Sequence, residues 1–323
     1  MATPLVSVIV TSYNSARFIV ETLESVKAQT YQNIELIISD DCSTDDTVAV
    51  GRAWLEKNGS RFVRTDLITV PQNTGVSANC NRCIKASRAE WIKFIAGDDI
   101  LLPNCIEDNM SFVMERPEVK ILFSQVALYA DNFHEKSFLR ILPAQFPVNI
   151  MKPELSADDQ FRLLLISDRI SFTPSYFFNK QALTSVGGYD ERHKVAEDYP
   201  MWLKLTHAGF RLYFMMKLTV GYRQHGQALN NIGNQQIFKP LLLKTHFFRK
   251  EFVYPYLPWD IIGQERFVIL VSRLFQSAGL NKNKAFQKTL YKFLTVYLNP
   301  FQYAVAFKKR VLGKGKHDVF YSN

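Results

Sequence analysis

The sequence predicts an α/β fold, with a mostly parallel sheet that carries helices on both faces and a helical region at the C-terminal end. Apolar runs of strand length alternate with helical patterns through the first hundred residues, and short loops join them. Of the 323 residues, 47% are hydrophobic and 21% are charged, so the chain is too apolar to be disordered. This length is enough for one large α/β domain with an appendage, or for two modest domains.

The predicted elements follow one another in a regular order. Leu5–Thr11 is a near-continuous apolar run, which is typical of a buried parallel strand. Asn14 or Ser15 can cap the helix that follows it, since both side chains accept hydrogen bonds from a first helical turn. Further strands are predicted at Ile34–Ser39, Leu67–Val70 and Trp91–Ala96, and further helices at about 46–58, 77–86 and 103–114.

Adjacent carboxylates follow two of these strands. Asp40 and Asp41 end the second strand, and Asp98 and Asp99 follow the fourth. Ligands of parallel sheets bind at the carboxyl ends of the strands. Neighbouring carboxylates repel each other unless a cation lies near them, so a metal ion or a donor-rich ligand is expected at this edge. Neither the Gly-rich dinucleotide fingerprint nor a P-loop occurs in the chain.

Five blocks of sequence occur in one order over residues 5 to about 230. They are VSVIVTSYNSARFIVETLESVKAQTYQNIELIISDDCSTDDT, NTGVSANCNRCIKAS, FIAGDDILLP, SFTPSYFFNKQALTSVGGYDERHKVAEDYPMWLKL and YRQHGQALN. In order and spacing they resemble the family-2 glycosyltransferases, which are nucleotide-sugar-dependent enzymes of the GT-A fold. The resemblance implies an inverting transfer of a sugar to a hydroxyl group of an acceptor.

The resemblance also implies a nucleotide-binding set, which comprises Thr11, Tyr13, Asp41, Asn73, Asn81 and Asp98. In it, Thr11 and Tyr13 cradle the uracil and ribose, and Asp41 accepts the uracil N3–H while Asp40 holds the loop. Only an acceptor suits that N3–H, which separates uracil and thymine from cytosine. The alternative for the segment after the first strand is an ordinary helix-capping turn.

A metal site is implied at Gly97-Asp98-Asp99, which stands in the place of the family's D-x-D motif. Ala96 replaces the first acid, so the sequence leaves open which of Asp98 and Asp99 holds the ion. His225 completes the implied set, and Arg223 is a candidate contact to phosphate. Mn²⁺ or Mg²⁺ would neutralise the charge of a diphosphate leaving group. The alternatives are a solvated turn and a solvated histidine.

The catalytic pair implied by the resemblance is Glu197-Asp198, with Asp198 as general base. An inverting transferase needs one carboxylate to take the proton of the acceptor hydroxyl as it attacks the sugar, through an oxocarbenium-like transition state. The alternative is that Asp198 is an N-cap ahead of a helix with Pro200 in its first turn.

The basic surplus of the chain lies in its last quarter. Residues 1–239 hold 25 Lys and Arg against 26 Asp and Glu, whereas residues 240–323 hold 14 against 4. Aromatic residues are interleaved with these charges over 286–312, which predicts an amphipathic helical hairpin that binds an anionic membrane surface. The alternative is an appendage that packs on the catalytic domain or forms a homo-oligomer with a second subunit. Since no apolar run approaches about 20 residues and no signal peptide is evident, we expect a cytoplasmic protein, peripheral at the inner face of the cytoplasmic membrane.

These observations predict a catalytic domain over residues 1–239 and a basic helical region over 240–323. The nucleotide-sugar half would span about 1–117 and the acceptor half about 118–239. The predicted reaction moves a sugar from a UDP-sugar, or as second choice a dTDP-sugar, to a saccharide acceptor, expected to be lipid-linked, in surface polysaccharide or lipopolysaccharide synthesis.

Two alternatives stay open. A sugar nucleotidyltransferase would require a Gly-rich basic loop after the first strand, which TSYNSAR lacks. A nucleic-acid-binding protein would account for the basic region alone. It would leave four acids at strand ends to repel phosphate, so no nucleic-acid partner is expected.

Overall fold

The structure is a computed structural model that describes residues 3–145, 150–192, 197–226, 236–238, 241–312 and 320–321. The chain forms two compact units. The first comprises Met1–Phe161 and Arg169–His225, and the second comprises Arg162–Asp168 and Gly226–Asn323. The predicted division of function at residues 239 and 240 stays a prediction.

The first half of the first unit alternates strands and helices as the sequence predicts. Its strands are β1 (Val6–Ser12), β2 (Ile34–Asp40), β3 (Arg64–Thr69) and β4 (Trp91–Ala96), and its helices are α1 (Ile19–Lys27), α2 (Thr47–Asn58) and α3 (Val76–Ala86). The four strands pair in parallel in the order β3-β2-β1-β4. The side chains of β1 and β2 are buried on both faces, as expected for central strands of a parallel sheet.

The sheet continues with strands of mixed direction. The further strands are β5 (Ile100–Leu101), β6 (Ile121–Ala130), β7 (Phe138–Leu142), β8 (Phe177–Asn179) and β9 (Leu212–Gln224), and the further helices are α4 (Cys105–Glu115), α5 (Ala157–Ile166), α6 (Lys180–Ser185) and α7 (Asp198–His207). The full order is β3-β2-β1-β4-β8-β6-β9-β5, with β7 on β6. Strand β8 runs antiparallel to β4 and β6, while β9 is parallel to β6. The predicted α/β class is confirmed. The parallel strands β1 to β4 lie within the predicted nucleotide-sugar half, whose function stays a prediction.

The second unit is helical over its described residues. Its helices are α8 (Leu241–Phe252), α9 (Trp259–Ser277), α10 (Ala285–Lys292) and α11 (Pro300–Leu312), and a π-helical turn at Phe293–Tyr297 follows α10. The predicted C-terminal helical region is therefore confirmed. Over the described residues, every helix is too short or too polar to span a bilayer.

The helical spacing of Phe286, Leu290, Phe293, Leu294 and Tyr297 suggests one common apolar face, and the structure divides that set. Leu290 and Leu294 pack against a buried cluster formed by Phe238, Val271 and Phe275. The other three side chains are exposed. The π-helical turn changes the angular spacing after Lys292, and this turns Phe293 and Tyr297 away from Leu290. Phe286 lies before that turn and is exposed in the first turn of α10.

Lys93 is a fully buried lysine in the middle of β4. Its Nζ donates hydrogen bonds to the carbonyl oxygens of Pro174, at 2.6 Å, and Tyr176, at 3.1 Å. It thereby holds the segment before β8 against β4. Burial lowers the pKa of Lys93 from its usual 10.5 to about 8.

The buried amine makes a pH-dependent contribution to stability. Below pH 8 the lysine is charged in both the folded and the unfolded chain, so burial of the charge costs about 3 kcal/mol for a pKa lowered from 10.5 to about 8. As pH rises from 8 to 10.5, the unfolded chain binds more protons at this lysine than the folded chain does, and the cost disappears. The unfolding free energy of Lys93→Met, relative to the parent, should therefore fall across this window.

Urea unfolding of both proteins at several pH values measures this difference. The two hydrogen bonds lost on substitution shift the difference by a constant, so its slope with pH is the test. Lys57→Met, at an exposed position of α2, supplies the comparison. Equal slopes for the two variants would contradict the assignment of the pH dependence to Lys93.

Candidate active site

The carboxyl ends of β1, β2 and β4 meet at one edge of the sheet. Thr11 of β1 is in register with Ser39 of β2 and Ala96 of β4. The pairing extends past the strands, because the Gly97 amide donates to the Thr11 carbonyl at 2.8 Å and the Asp41 amide donates to the Ser12 carbonyl at 3.0 Å. The residues that follow the three strands therefore lie side by side, as the sequence predicts.

The loop after β1 has a conformation that the capping prediction misses. Tyr13 is half exposed at the edge of the site. Asn14 has a φ of 51°, and its side-chain oxygen accepts from the Thr44 amide at 2.8 Å. Phe18 occupies the N-cap position of α1, with no side-chain cap bond, so the prediction that Asn14 or Ser15 caps this helix is wrong. Asn14 instead holds the loops after β1 and β2 together.

Asp41 lies buried at the centre of a hydrogen-bonded turn. One carboxylate oxygen accepts from the Thr74 hydroxyl at 2.6 Å, and the other accepts from the Gly75 amide at 2.7 Å. Arg82 of α3 forms an ion pair with it at 3.0 Å. Burial alone would raise the pKa of Asp41, but the hydrogen bonds from Thr74 and Arg82 outweigh it and hold the pKa below its usual value.

Asn73 of the predicted nucleotide set, and Asp40 beside it in the site, also hold loops by hydrogen bonds. Asn73 donates to the Asp41 carbonyl at 3.1 Å, next to the carboxylate turn. Asp40 accepts from the Ser43 amide at 2.7 Å and from the Ser12 hydroxyl at 3.0 Å, so it holds the loop after β2 as expected. The contacts of Thr11, Tyr13, Asp41 and Asn73 with a nucleotide stay predictions.

Asn81 connects α3 to the segment after α6. Its side-chain oxygen accepts from the Tyr189 amide at 2.8 Å, and its amide group donates to the Tyr189 carbonyl at 2.9 Å. Gly188, at φ 67°, lies so close that a Cβ there would be 2.6 Å from the Asn81 oxygen. The structure therefore gives Asn81 a positioning role, and its predicted nucleotide contact stays a prediction.

Asp98 and His225 come together although 127 positions separate them in sequence. The His225 Nε2 lies 3.0 Å from a carboxylate oxygen of Asp98. The Phe18 ring packs 4.9 Å from the imidazole, and both side chains of the pair keep some solvent exposure. An oxygen and a nitrogen ligand thus meet at the carboxyl end of β4.

Asp99 points away from this pair. It is buried, and its carboxylate accepts from the main-chain amide of Arg223 at 2.8 Å. Burial, with the neighbouring charge of Asp98, raises the pKa of Asp99 well above its usual value. Of the two acids, Asp98 is the one that faces His225. In the described part of the chain, no three His, Cys, Asp or Glu side chains lie close enough together to hold a metal ion by themselves.

Arg223 clamps the loop that carries Asp98. Its guanidinium donates to the carbonyls of Asp98, at 2.7 Å, and Asp131, at 2.6 Å, and it forms an ion pair with Glu21 of α1. The rings of Phe18 and Phe133 flank it, at 4.5 and 4.2 Å from the guanidinium carbon. The side chain is buried by these partners, so the structure corrects the expectation that Arg223 contacts phosphate.

Glu197 and Asp198 lie beside α3. Asp198 is the first residue of α7 and Glu197 occupies its N-cap position. The alternative that Asp198 is the N-cap is therefore wrong by one residue. Burial raises the pKa of the Cys80 thiol well above its usual value, and the charges of Glu197 and Asp198 add to this shift. Burial also raises the pKa of Glu197 itself. The predicted base and the Asp41 turn therefore border the same helix, since α3 carries both Cys80 and Arg82.

The sequence analysis does not predict the roles of two arginines of the site. The repulsion between adjacent acids correctly indicates that cations are near, but Arg82 and Arg223 supply positive charge at Asp41 and beside Asp99. Arginines of the chain thus supply part of the positive charge that the sequence analysis assigns to a metal ion or a ligand, and the metal ion itself stays a prediction. The adjacent acids at the strand ends were the signal in the sequence that could have indicated these arginines, because a buried carboxylate needs a positively charged or hydrogen-bonding partner.

Comparisons with known proteins agree with this geometry. The family model described as "Glycosyl transferase family 2" matches residues 7–177. An uncharacterized glycosyltransferase of Rickettsia typhi is 27% identical over 251 residues, which are 76% of this chain and 72% of the relative. TuaG, a glycosyltransferase assigned to teichuronic acid biosynthesis in Bacillus subtilis, is 34% identical over 113 residues, 35% of this chain and 43% of the relative.

A similar solved structure is that of S. aureus TarS in complex with UDP-GlcNAc. It has a TM-score of 0.59 and 19% sequence identity, and the match covers 92% of this chain and 82% of that one. At this identity the likeness concerns the fold, which is the GT-A type that the sequence blocks imply.

The clamp predicts a large difference between two arginines that contact one ring. Arg223→Met should lower the unfolding free energy by roughly 2–3 kcal/mol, because it removes two hydrogen bonds of a buried guanidinium to carbonyl groups, its contacts with two rings and its ion pair with half-exposed Glu21. Arg17 also lies over Phe18, at 5.0 Å, but is exposed, so Arg17→Met should cost less than about 0.5 kcal/mol. Urea unfolding measures both, and equal losses would contradict the clamp.

Proposed function

Since the chain belongs to glycosyl transferase family 2, we propose that it is an inverting glycosyltransferase that takes a sugar from a UDP-sugar, with a dTDP-sugar as the second choice. The observation that carries the proposal is the Asp98–His225 pair at the carboxyl end of β4, beside the loops that hold Tyr13 and Asp41. A uracil accepted by Asp41 and a diphosphate directed toward Asp98 would occupy the edge at which ligands of such sheets bind. The complex of TarS with UDP-GlcNAc supports a nucleotide-sugar donor.

The residues at this edge fit a divalent metal ion. The Asp98 carboxylate oxygen and the His225 Nε2 lie 3.0 Å apart, and both side chains keep some solvent exposure, so both would be able to hold one ion. One carboxylate with one imidazole suits Mn²⁺, and Mg²⁺ is the second candidate. When bound, the ion would neutralise charge on the diphosphate leaving group. Such ions often take their remaining ligands from substrate phosphates and water, so two protein ligands suffice.

The chain's own groups then divide the work. Asp98 and His225 would hold the metal ion beside the diphosphate, and Arg223 keeps the Asp98 main chain in place. Asp198 accepts the proton of the acceptor hydroxyl as the hydroxyl oxygen attacks the anomeric carbon and the bond to the nucleotide breaks. Glu197 precedes Asp198 in the chain and is the second acid of the pair. Burial raises the pKa of Glu197.

We place the acceptor in surface polysaccharide or lipopolysaccharide synthesis, as a saccharide linked to lipid at the inner face of the cytoplasmic membrane. The similarity to TuaG supports a polysaccharide product. Peripheral attachment to the membrane surface would bring the site to such an acceptor.

Asp198→Asn should abolish transfer and leave UDP affinity unchanged, because the amide cannot accept the proton while the nucleotide contacts stay intact. Loss of a general base costs about 10²–10⁴ in rate. The measurement is UDP release from a panel of UDP-sugars with saccharide and lipid-linked saccharide acceptors. Asp159→Asn, near the start of α5, is the matched control and should react like the parent. Turnover of the Asp198 variant within tenfold of the parent would remove this residue from the base role.

Nucleotide recognition is tested by thermal unfolding with UDP, dTDP, GDP, CDP and ADP, with and without Mn²⁺. A ligand at about 100 times its Kd stabilises the folded state by about 2.7 kcal/mol. UDP with Mn²⁺ should raise the Tm of the parent, and Asp98→Asn should lose the metal-dependent part of that rise.

CDP and ADP should have no effect, since Asp41 reads the N3–H of uracil or thymine. A shift with GDP alone would overturn the proposed base recognition while keeping the reaction class. No shift with any nucleotide would contradict the proposed donor altogether.

A further inference from the structure

The second unit carries positive charge without any acid to balance it over a long stretch. Residues 266–317 contain eleven Lys or Arg and no Asp or Glu. On α10 and α11, Lys288, Lys292, Lys309 and Arg310 are exposed. Lys308 is the exception, because its Nζ forms an ion pair with buried Asp260 at 3.0 Å. The neighbouring charges at 309 and 310 thus face solvent while 308 anchors α11 to α9.

An apolar stripe runs along α11 on a face that no other described element covers. Tyr303 is 62% exposed, Phe307 is 68% exposed and Val311 is 57% exposed. Their spacing of four residues aligns them on one face of the helix. Val305, between them in sequence, is buried instead, so α11 has one apolar face toward α9 and another toward solvent. Such a second apolar face has no role in folding the unit.

The stripe continues into the π-helical turn. The Tyr303 hydroxyl donates to the Tyr297 carbonyl at 2.7 Å, and the Tyr297 and Phe293 rings are 6.1 Å apart. Both rings are exposed. We call the whole patch the aromatic basic surface, and it comprises Phe293, Tyr297, Tyr303, Phe307 and Val311 with Lys288, Lys292 and Arg310. Lys309 lies on the other face of α11, beside buried Val305.

We propose that the aromatic basic surface docks on a lipid bilayer that contains anionic headgroups. Such a bilayer interacts with both parts of the surface. The aromatic and aliphatic side chains enter the boundary between headgroups and acyl chains, and the basic side chains are attracted to the anionic headgroups. This docking deepens the peripheral location proposed above. Vesicle binding measures it without reference to sugar transfer, so the two proposals fail separately.

Other partners leave part of the surface unexplained. A duplex nucleic acid would neutralise the charges but leave the apolar stripe uncovered. A second copy, paired through a twofold axis, would bring the same positive charges against each other without an acid to separate them. The combination of uncompensated charge and exposed aromatic side chains therefore favours the bilayer.

The first test is co-sedimentation of the full chain with vesicles of phosphatidylcholine, with or without about one third phosphatidylglycerol. The parent should bind the anionic vesicles and not the neutral ones, and binding should fall as salt rises. Each basic residue near the surface contributes about fivefold, so the triple variant with Lys288, Lys292 and Arg310 changed to Gln should bind roughly 100-fold more weakly. Arg52→Gln with Lys57→Gln, on α2 of the first unit, is the charge control and should bind within about twofold to threefold of the parent.

The apolar stripe has its own variant. Tyr303→Ser with Phe307→Ser and Val311→Ser should weaken binding to the anionic vesicles at least tenfold and leave its salt dependence unchanged, since the charges remain. Met114→Ser with Met216→Ser removes comparable exposed apolar side chains from the first unit and should bind as the parent does. Thermal unfolding of each variant shows that it is folded.

Three outcomes would overturn the docking proposal. The first is an absence of binding to anionic vesicles by the folded parent, and the second is equal binding by the parent and both surface variants. The third is a preference for duplex DNA over anionic vesicles at equal salt, or a dimer that the apolar variant dissociates, because either would assign the surface to another partner.

Discussion

The burial of carboxylates at the strand ends, beside arginines of the same chain, is the constraint on which the rest of the site depends. Asp41 cannot stay ionised at the end of β2 without compensation, and Arg82 of α3 provides it at 3.0 Å. At the end of β4, Asp99 lies beneath the Arg223 main chain, and the Arg223 side chain holds the carbonyl of Asp98. These contacts fix the loop after β2 to α3 and the loop after β4 to β9.

This arrangement separates the acids by role. Asp40 and Asp99 accept hydrogen bonds from main-chain amides, Asp41 is paired with Arg82, and of these four acids Asp98 is the one turned toward His225. A carboxylate that is positioned by its neighbours but retains solvent exposure is suited to bind a metal ion or a ligand. Near Cys80 of α3, Asp198 and Glu197 are partly buried, and burial raises the pKa of Glu197. In the proposed reaction, the diphosphate would lie at Asp98 and the proton of the acceptor hydroxyl would pass to Asp198.

The second unit also pairs a buried acid with a cation of the same chain, and it leaves a long run of basic residues without an acid among them. Asp260 is paired with Lys308 and Tyr321, so the acid available to α11 is used inside the unit. The basic residues around it have no such acid between 266 and 317. Their charge therefore acts on whatever approaches from outside, and the exposed aromatic residues select an apolar boundary over a purely aqueous one. Catalysis and attachment would then lie in separate units, each with its own electrostatic character.

The sequence by itself determined the α/β class, the parallel strands β1 to β4, the helical C-terminal region and membership of the family. These depend on periodicity and on short motifs, which neighbouring residues express locally. Tertiary structure alone decided that Arg82 neutralises Asp41, that Asp98 rather than Asp99 faces His225, and that Arg223 is a clamp. These contacts join residues 41, 127 and 125 positions apart, so no local pattern could specify them. The π-helical turn likewise redistributed the aromatic residues of the C-terminal region, since a change of helical pitch separates side chains that a regular spacing would align.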